Sequence, residues 1–345
     1  MDRRSLIILT FIAAVAVVIS LALVAIRDEP AGVAAPSTSE AAPESTTTAP
    51  LSAEPDPIES TTPLETTTTT TPGATLAPGA TACDPYTAVT VAGTVASPDL
   101  VEASGMAASR TSPGVLWAHN DSRDGARVYA LGPDGADLGA FAISGALAFD
   151  WEDMAAGPEL DSSQSMLFFG DIGDNFSIRS GRITVYRVPE PDPNSINGSI
   201  DGAVPLEYQY PDGVYNSEAL FVADGSIFVI TKDRDEARVY RGDATGDGAT
   251  VETMELITVL SLGAEVSGAD MSWDGSTIAL RGYETVWLWH RSRGMNVLET
   301  LATEPCTAPS PDEVQGESIA FLADGSYKTV SEGSHPDLHL VARDS

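Results

Sequence analysis

The chain has 345 residues, with 50 Asp and Glu against 18 Lys and Arg, for a formal net charge of −32. Such an acidic surplus excludes nucleic acid as a partner, because phosphate contacts need Lys and Arg. It favours solubility and permits cation binding, although most of these acids read as a solvated surface.

In chain order, the polar, basic residues 1–5 (MDRRS) precede Leu6 to Ile26, a stretch without a charge. A helix of about 20 apolar residues crosses a hydrocarbon core of about 30 Å. The apolar core of a cleaved signal peptide is shorter, about 7–15 residues. Arg3 and Arg4 lie before the stretch and Asp28 and Glu29 after it, which puts the N-terminus in the cytoplasm and the rest outside. Residues 1–27 are therefore expected to be a single-pass membrane anchor, with the C-terminal domain extracellular at the cell membrane. The alternative is a long signal peptide cleaved near Ala35, which would secrete the same domain.

Residues 28–80 are Thr, Pro, Ala and Ser with scattered acids, as in STSEAAPESTTTAP and ETTTTTTPGATLAPGAT. They hold too little apolar surface to offset the entropy of ordering, which predicts a disordered, extended stalk. Such Thr-rich tracts are also possible acceptors for O-linked glycans.

Residues 81–345 remain, about 265 residues and ample for one sizeable core. Cys83 and Cys306 both fall here, and an oxidising exterior permits one disulfide between them. Five related segments recur at roughly 50-residue intervals, one interval being longer. They are EASGMAAS from Glu102, DWEDMAAG from Asp150, NSEALFVADG from Asn216, SGADMSWDG from Ser267 and QGESIAFLADG from Gln315. Each is followed by further β-rich runs, such as GVLWAHNDS, SMLFFGDIGDN and SIFVITKDR, separated by turn signals such as PDG and ADG.

Four strands in about 40–50 residues is the pattern of a β-propeller blade. The expected fold is all-β: a five-bladed propeller, or six-bladed if the long interval from Glu152 to Glu218 hides a degenerate blade. The fifth copy runs out after three strands, and Tyr86 to Ser97 (YTAVTVAGTVAS) offers the fourth. Closing the ring that way removes an exposed edge and brings Cys83 and Cys306 to the outermost strands of neighbouring blades.

The repeated position is Ser104, Glu152, Glu218, Ala269 and Glu317. On the first strand of each blade it lines the tunnel, so three glutamates and a serine converge on one axis. Like charges so close require a cation or a proton among them. An all-oxygen site of flexible geometry suits Ca²⁺. The expected ligands are Ser104, Glu152, Glu218 and Glu317, with Asp270 standing in beside Ala269. Asp150 and Asp153 read as rim or turn carboxylates, and Trp151 as packing between blades. In the alternative reading these acids accept hydrogen bonds from backbone amides at the tight inner edge.

The ends of the second strands decorate the same rim with His119, Asn120 and Asp121; Asp171, Asp174 and Asn175; Lys232, Asp233 and Arg234; Arg281 and Tyr283; and Glu332. Lys232 and Arg281 are candidates to hold an anionic group, and Asp171 or His119 to act as general base. The competing reading takes NDS and GDIGDN as Asx-type turns. DATGDGATVE lacks the spacing and helices of an EF-hand and reads as a hairpin turn. The sequence holds no G-x-S-x-G elbow, Walker loop, H-E-x-x-H or dinucleotide fingerprint.

The order DWEDMA, GDIGDN, ITVYRVPEP, NSEAL, ITK, GADMS and QGES resembles secreted bacterial β-propeller proteins over most of residues 85–345. More distantly, Ser and Glu at blade starts are similar to calcium-dependent nucleotidases, five-bladed propellers with calcium in the tunnel. That likeness implies Ser104, Glu152, Glu218 and Glu317 as ligands, with Ala269 departing from the pattern and Ser267 close by. Phytase-like and esterase-like propellers are similar in their acidic mouths. A fold of this type hosts many functions. The expectation is a monomeric, calcium-assisted hydrolase of phosphate or related esters that binds a small anionic substrate. The alternative is a non-catalytic propeller that binds a glycan or protein of the cell envelope.

Overall fold

A computed structural model describes residues 76–121, 124–158, 164–195 and 198–344. The expected anchor and residues 28–75 of the stalk lie outside them. Among the described residues no helix is long and apolar enough to cross a membrane.

Strand β1 (Tyr86–Thr94) opens the domain. Blade 1 follows as β2 (Ala103–Ala108), β3 (Leu116–Asn120), β4 (Arg127–Leu131) and β5 (Asp137–Ile143). Blade 2 is β6 (Trp151–Pro158), β7 (Ser165–Asp171), β8 (Arg182–Pro189) and, after β9 (Ser199–Ile200), β10 (Val204–Gln209). Blade 3 is β11 (Ser217–Ala223), β12 (Ser226–Thr231), β13 (Ala237–Asp243) and, after β14 (Glu252–Thr253), β15 (Glu255–Leu260). Blade 4 is β16 (Gly268–Met271), β17 (Thr277–Arg281), β18 (Val286–His290) and β19 (Cys306–Ala308), with helix α1 (Val297–Leu301) before β19. Blade 5 is β20 (Gly316–Phe321), β21 (Tyr327–Ser331) and β22 (Asp337–Arg343), and β1 is its outermost strand.

The ring therefore has five blades and closes as its repeats predict. β1 runs antiparallel to β22, with Val89 opposite Val341 and Gly93 opposite Leu338. The long interval between the second and third copies is not a sixth blade. It carries β9, which adds in parallel to β5 at the outer edge of blade 1, Ile200 beside Ile143. In the same way β14 leaves blade 3 to pair in parallel with β10 of blade 2.

Inner strands β2 and β20 are buried along their whole length, whereas outer strands such as β10 alternate between buried and exposed. The difference follows from packing: an inner strand is covered on both faces by neighbouring blades, and an outer strand on one. Five apolar clusters fill the five seams between blades. Trp117 and Phe141 of blade 1 meet Trp151 and Phe169 of blade 2, for example. Across the closing seam, Val330 and Leu338 of blade 5 meet Met106 and Leu116 of blade 1. Cys83 and Cys306 form the disulfide, with Cα atoms 6.0 Å apart, tying the entry to β1 onto the outermost strand of blade 4. Every blade, every seam, the closing strand and the disulfide lie within residues 76–344, so this domain carries all it needs to fold on its own.

The repeated position is the second residue of each inner strand: Ser104, Glu152, Glu218, Ala269 and Glu317. In the four blades that carry Ser or Glu there, the ladder to the second strand slips at that point. In blade 4, where Ala269 stands, the pairing from Gly268 to Met271 is regular. A bulge re-aims the side chain beside it, and here bulge and polar side chain occur together.

Candidate metal centre at the tunnel mouth

Glu152 is 4 % exposed, and its Oε1 atom is buried without a hydrogen-bond partner. Asp121 Oδ1, at the end of blade 1's second strand, is buried and equally without a partner. With Asp150 these side chains form a group of three carboxylates whose facing oxygens all lie within 4.8 Å of one another. Two buried carboxylate oxygens left without donors demand a proton or a cation, since an unpaired buried polar atom is costly.

Local structure holds this group in place. Asp171 Oδ1 accepts from the Asp150 amide at 3.0 Å, and the Gly173 amide donates to the Asp150 carbonyl at 3.1 Å. A Cβ on Gly173 would lie 2.2 Å from Glu152 Oε1 and 2.5 Å from Asp150 Oδ2. Glycine at that point is what lets the loop between β7 and β8 back directly onto the two carboxylates.

The electrostatics agree with the geometry. Burial, and then the charges of Asp150, Glu332, Glu102 and Glu218, push the Asp121 carboxyl up to about 8. Burial, and then Glu218, Asp121 and Asp150, raise Glu152 well above the usual carboxylate range. Glu317 is pushed up to about 8 by burial and by Glu218. Glu218 is also raised by burial, against the pull of Lys232.

The remaining tunnel positions are already partnered to differing degrees. Glu218 forms an ion pair with Lys232 and accepts from Asn216 Nδ2 at 3.1 Å. Burial works against the Lys232 charge, but Glu218 outweighs it and raises the ammonium above its usual range. Glu317 accepts from Gln315 Nε2 at 2.8 Å. Ser104 occupies the equivalent place in blade 1 and is buried. Asp270, the third residue of its strand, uses one carboxylate oxygen on the Met271 amide and the other on the Phe321 amide of blade 5, at 2.8 and 2.7 Å. Asp153, third in β6, does the same across the ring and lies in the inner wall, not in a rim turn. It accepts from Met154, Leu220 and Ala269 amides at 2.8, 2.9 and 2.9 Å. Backbone bracing thus describes the third position, and a tunnel-facing carboxylate the second.

Of the four residues read as catalytic, Lys232 stands at the mouth, beside Tyr283 and on the wall of a cavity of about 570 Å³ with Asn216 and Arg234. His119 is fully buried in the seam between blades 1 and 2. Its Nδ1 donates to the Asn120 carbonyl at 2.9 Å, its ring meets Trp151 edge-on, and burial lowers its pKa to about 4. Asp171 is occupied by Arg179 and by the Asp150 amide. Arg281 is fully buried in an ion pair with Glu313, which also accepts from Thr329 and lies 2.7 Å from His339 Nδ1. Asp121 and Asp150 were legible only as rim carboxylates, and Gly173 only as part of the turn GDIGDN. No local signal joins Asp121 or Gly173 to Glu152.

No family model matches the chain, and no curated protein matches it. Solved structures with similar folds include the PQQ-bound aldose sugar dehydrogenase of Streptomyces coelicolor, at 14% identity and a TM-score of 0.42, covering 75% of this chain and 99% of that one. A glucose dehydrogenase is 10% identical with a TM-score of 0.44, covering 75% and 100%. A streptogramin B lyase is 11% identical with a TM-score of 0.39, covering 74% and 98%. The propeller assignment rests on the strand order of this chain, and these likenesses add no residue to the site.

Proposed function

We propose that this chain is a membrane-anchored extracellular propeller whose tunnel mouth binds Ca²⁺ and hydrolyses a phosphate or related ester. The observation that carries the reading is the group of three carboxylates, Asp121, Asp150 and Glu152, of which Glu152 Oε1 and Asp121 Oδ1 are buried without a partner. Their donor set is carboxylate oxygen throughout, which fits a hard cation of flexible coordination better than a transition metal. A cation held there supplies a Lewis acid for a phosphoryl or carbonyl oxygen.

The chain's own residues divide the remaining work. Asp171 and Gly173 position Asp150 and Glu152. Lys232, held at the mouth by Glu218, is placed to meet an anionic group on the substrate. Glu317, with its carboxyl pushed up to about 8, keeps its proton near neutral pH and is suited to donate it to a leaving group. Asp270 and Arg281 brace the wall behind these groups. The charge-free stretch from Leu6 to Ile26 supports anchoring.

The test is the melting temperature of residues 76–345 in EDTA, in Ca²⁺ and in Mg²⁺, followed by calcium-dependent release of nitrophenol from 4-nitrophenyl phosphate. A ligand at a hundredfold excess over its Kd adds about 2.7 kcal/mol to the native state, a rise of several degrees. Glu152→Gln and Asp121→Asn are expected to abolish the calcium rise, and Asp270→Asn to keep it. No calcium-specific rise would overturn the metal reading, and a rise without turnover of any ester would overturn the hydrolase reading.

A further inference from the structure

The rim beside the carboxylate group is apolar on one side. Leu147 and Phe149 lie in the segment entering β6, and Phe176 and Ile178 lie between β7 and β8; they are 74, 60, 66 and 62 % exposed. One exposed apolar side chain needs no explanation, but several grouped beside a polar site mark a binding surface. All four sit on the two loops of blade 2 that carry the site. Phe149 directly precedes Asp150, and Phe176 and Ile178 closely follow Gly173. Arg179 links the loops: it pairs with Asp171 while its guanidinium lies 4.7 Å from the centre of the Phe149 ring.

The second loop is held in this shape. The Asp174 carboxylate accepts from the Ile178 and Arg179 amides at 2.7 and 3.1 Å, and the Asp174 amide donates to Asn216 Oδ1 at 2.6 Å. Ser177 and Ser180 have φ of 53 and 56°, left-handed backbone that residues other than glycine adopt at a cost. A loop strained and pinned at its base presents Phe176 and Ile178 outward, beside an acidic mouth.

We infer that this collar takes the apolar part of the substrate, so that the ester meeting the mouth carries an alkyl or aryl group. The inference rests on the ester reading of the mouth and narrows it from esters in general to amphiphilic ones. The occupant is a small molecule and not a bilayer. The net charge of −32 repels an anionic lipid surface, and the collar is continuous with the carboxylates through Asp150 and Gly173.

The test compares binding of octyl phosphate with ethyl phosphate, and of octyl acetate with ethyl acetate, by titration calorimetry on residues 76–345 in Ca²⁺, below micellar concentration. The octyl member of at least one pair should bind at least about tenfold tighter, since each buried methylene adds to affinity. A Phe176→Ser/Ile178→Ser variant should erase that preference and keep the calcium-dependent rise in melting temperature. If octyl acetate keeps its advantage while neither phosphate binds, the collar stands and the phosphoryl reading falls. If neither octyl probe outbinds its ethyl partner, or the variant leaves the preference intact, the collar proposal is overturned whatever calcium does.

Discussion

Glu152 and Asp153 are adjacent carboxylates with opposite uses. Glu152 turns into the tunnel and leaves one oxygen without a donor, whereas Asp153 turns into the wall and accepts three backbone amides from blades 2, 3 and 4. Removing the two side chains should therefore have opposite effects. Asp153→Ala strands three buried amides, and each unsatisfied group costs about 1–3 kcal/mol. The expected loss is at least roughly 3 kcal/mol by urea unfolding, with Asp153→Asn recovering part of it. Glu152→Gln in EDTA should leave stability unchanged or raise it, because burial and the neighbouring acids already disfavour the charged form of this carboxyl. A loss for Glu152→Gln as large as that for Asp153→Ala would show that both acids are braces. The run DWEDMA announces buried acids, and the repeat marks Glu152 as the one that faces the tunnel, but nothing in the run shows that Asp153 braces the wall. The ladder slips between Trp151 and Met154, and a shift of one residue moves a side chain to the other face.

Among the strands, the informative departures are the short ones. β9 and β14 each leave their own stretch of chain to extend the outer edge of the preceding blade. β9 lies in the long interval between Glu152 and Glu218 and accounts for the spacing that a count of blades alone leaves ambiguous. The closing seam depends on β1, which is paired to β22 and tethered through Cys83 to Cys306. That bond spans a sequence separation of 223 residues. In the chain-entropy account, loops of that size contribute up to about 5 kcal/mol. A Cys83→Ser/Cys306→Ser variant should lose several kcal/mol in denaturant unfolding. Amide exchange should accelerate first in β1 and β22. Uniform acceleration around the ring would mean that the bond does not guard this seam.

Across the ring as a unit, acids gathered at one mouth give stability a definite pH dependence. The Asp121 and Glu317 carboxyls sit at about 8 in the native state, against about 4 in an unfolded chain. The native state therefore binds more protons than the unfolded one between these values, and stability must fall as pH rises from about 4 to about 8. In EDTA the melting temperature should decline over that window. Calcium competes with protons for the same oxygens, so its stabilisation should be larger at pH 8 than at pH 5. Scanning calorimetry at both pH values with and without Ca²⁺ checks this, and a larger calcium effect at pH 5 would contradict it.

Ring closure, the cysteine pair and the tunnel-facing position can be read along the chain, and the blade number as five or six. Each depends on turn chemistry, strand length and repeat spacing, which are properties of neighbouring residues. The company that Glu152 keeps is different. Asp121 comes from blade 1, Asp150 from the entry to blade 2, and the glycine that admits them from the loop beyond β7. Likewise Arg281 and Asp171, read as free rim groups, are consumed by Glu313 and Arg179. Burial and partner choice are set by how five blades tilt their inner edges around one axis, and no stretch of sequence carries that geometry by itself.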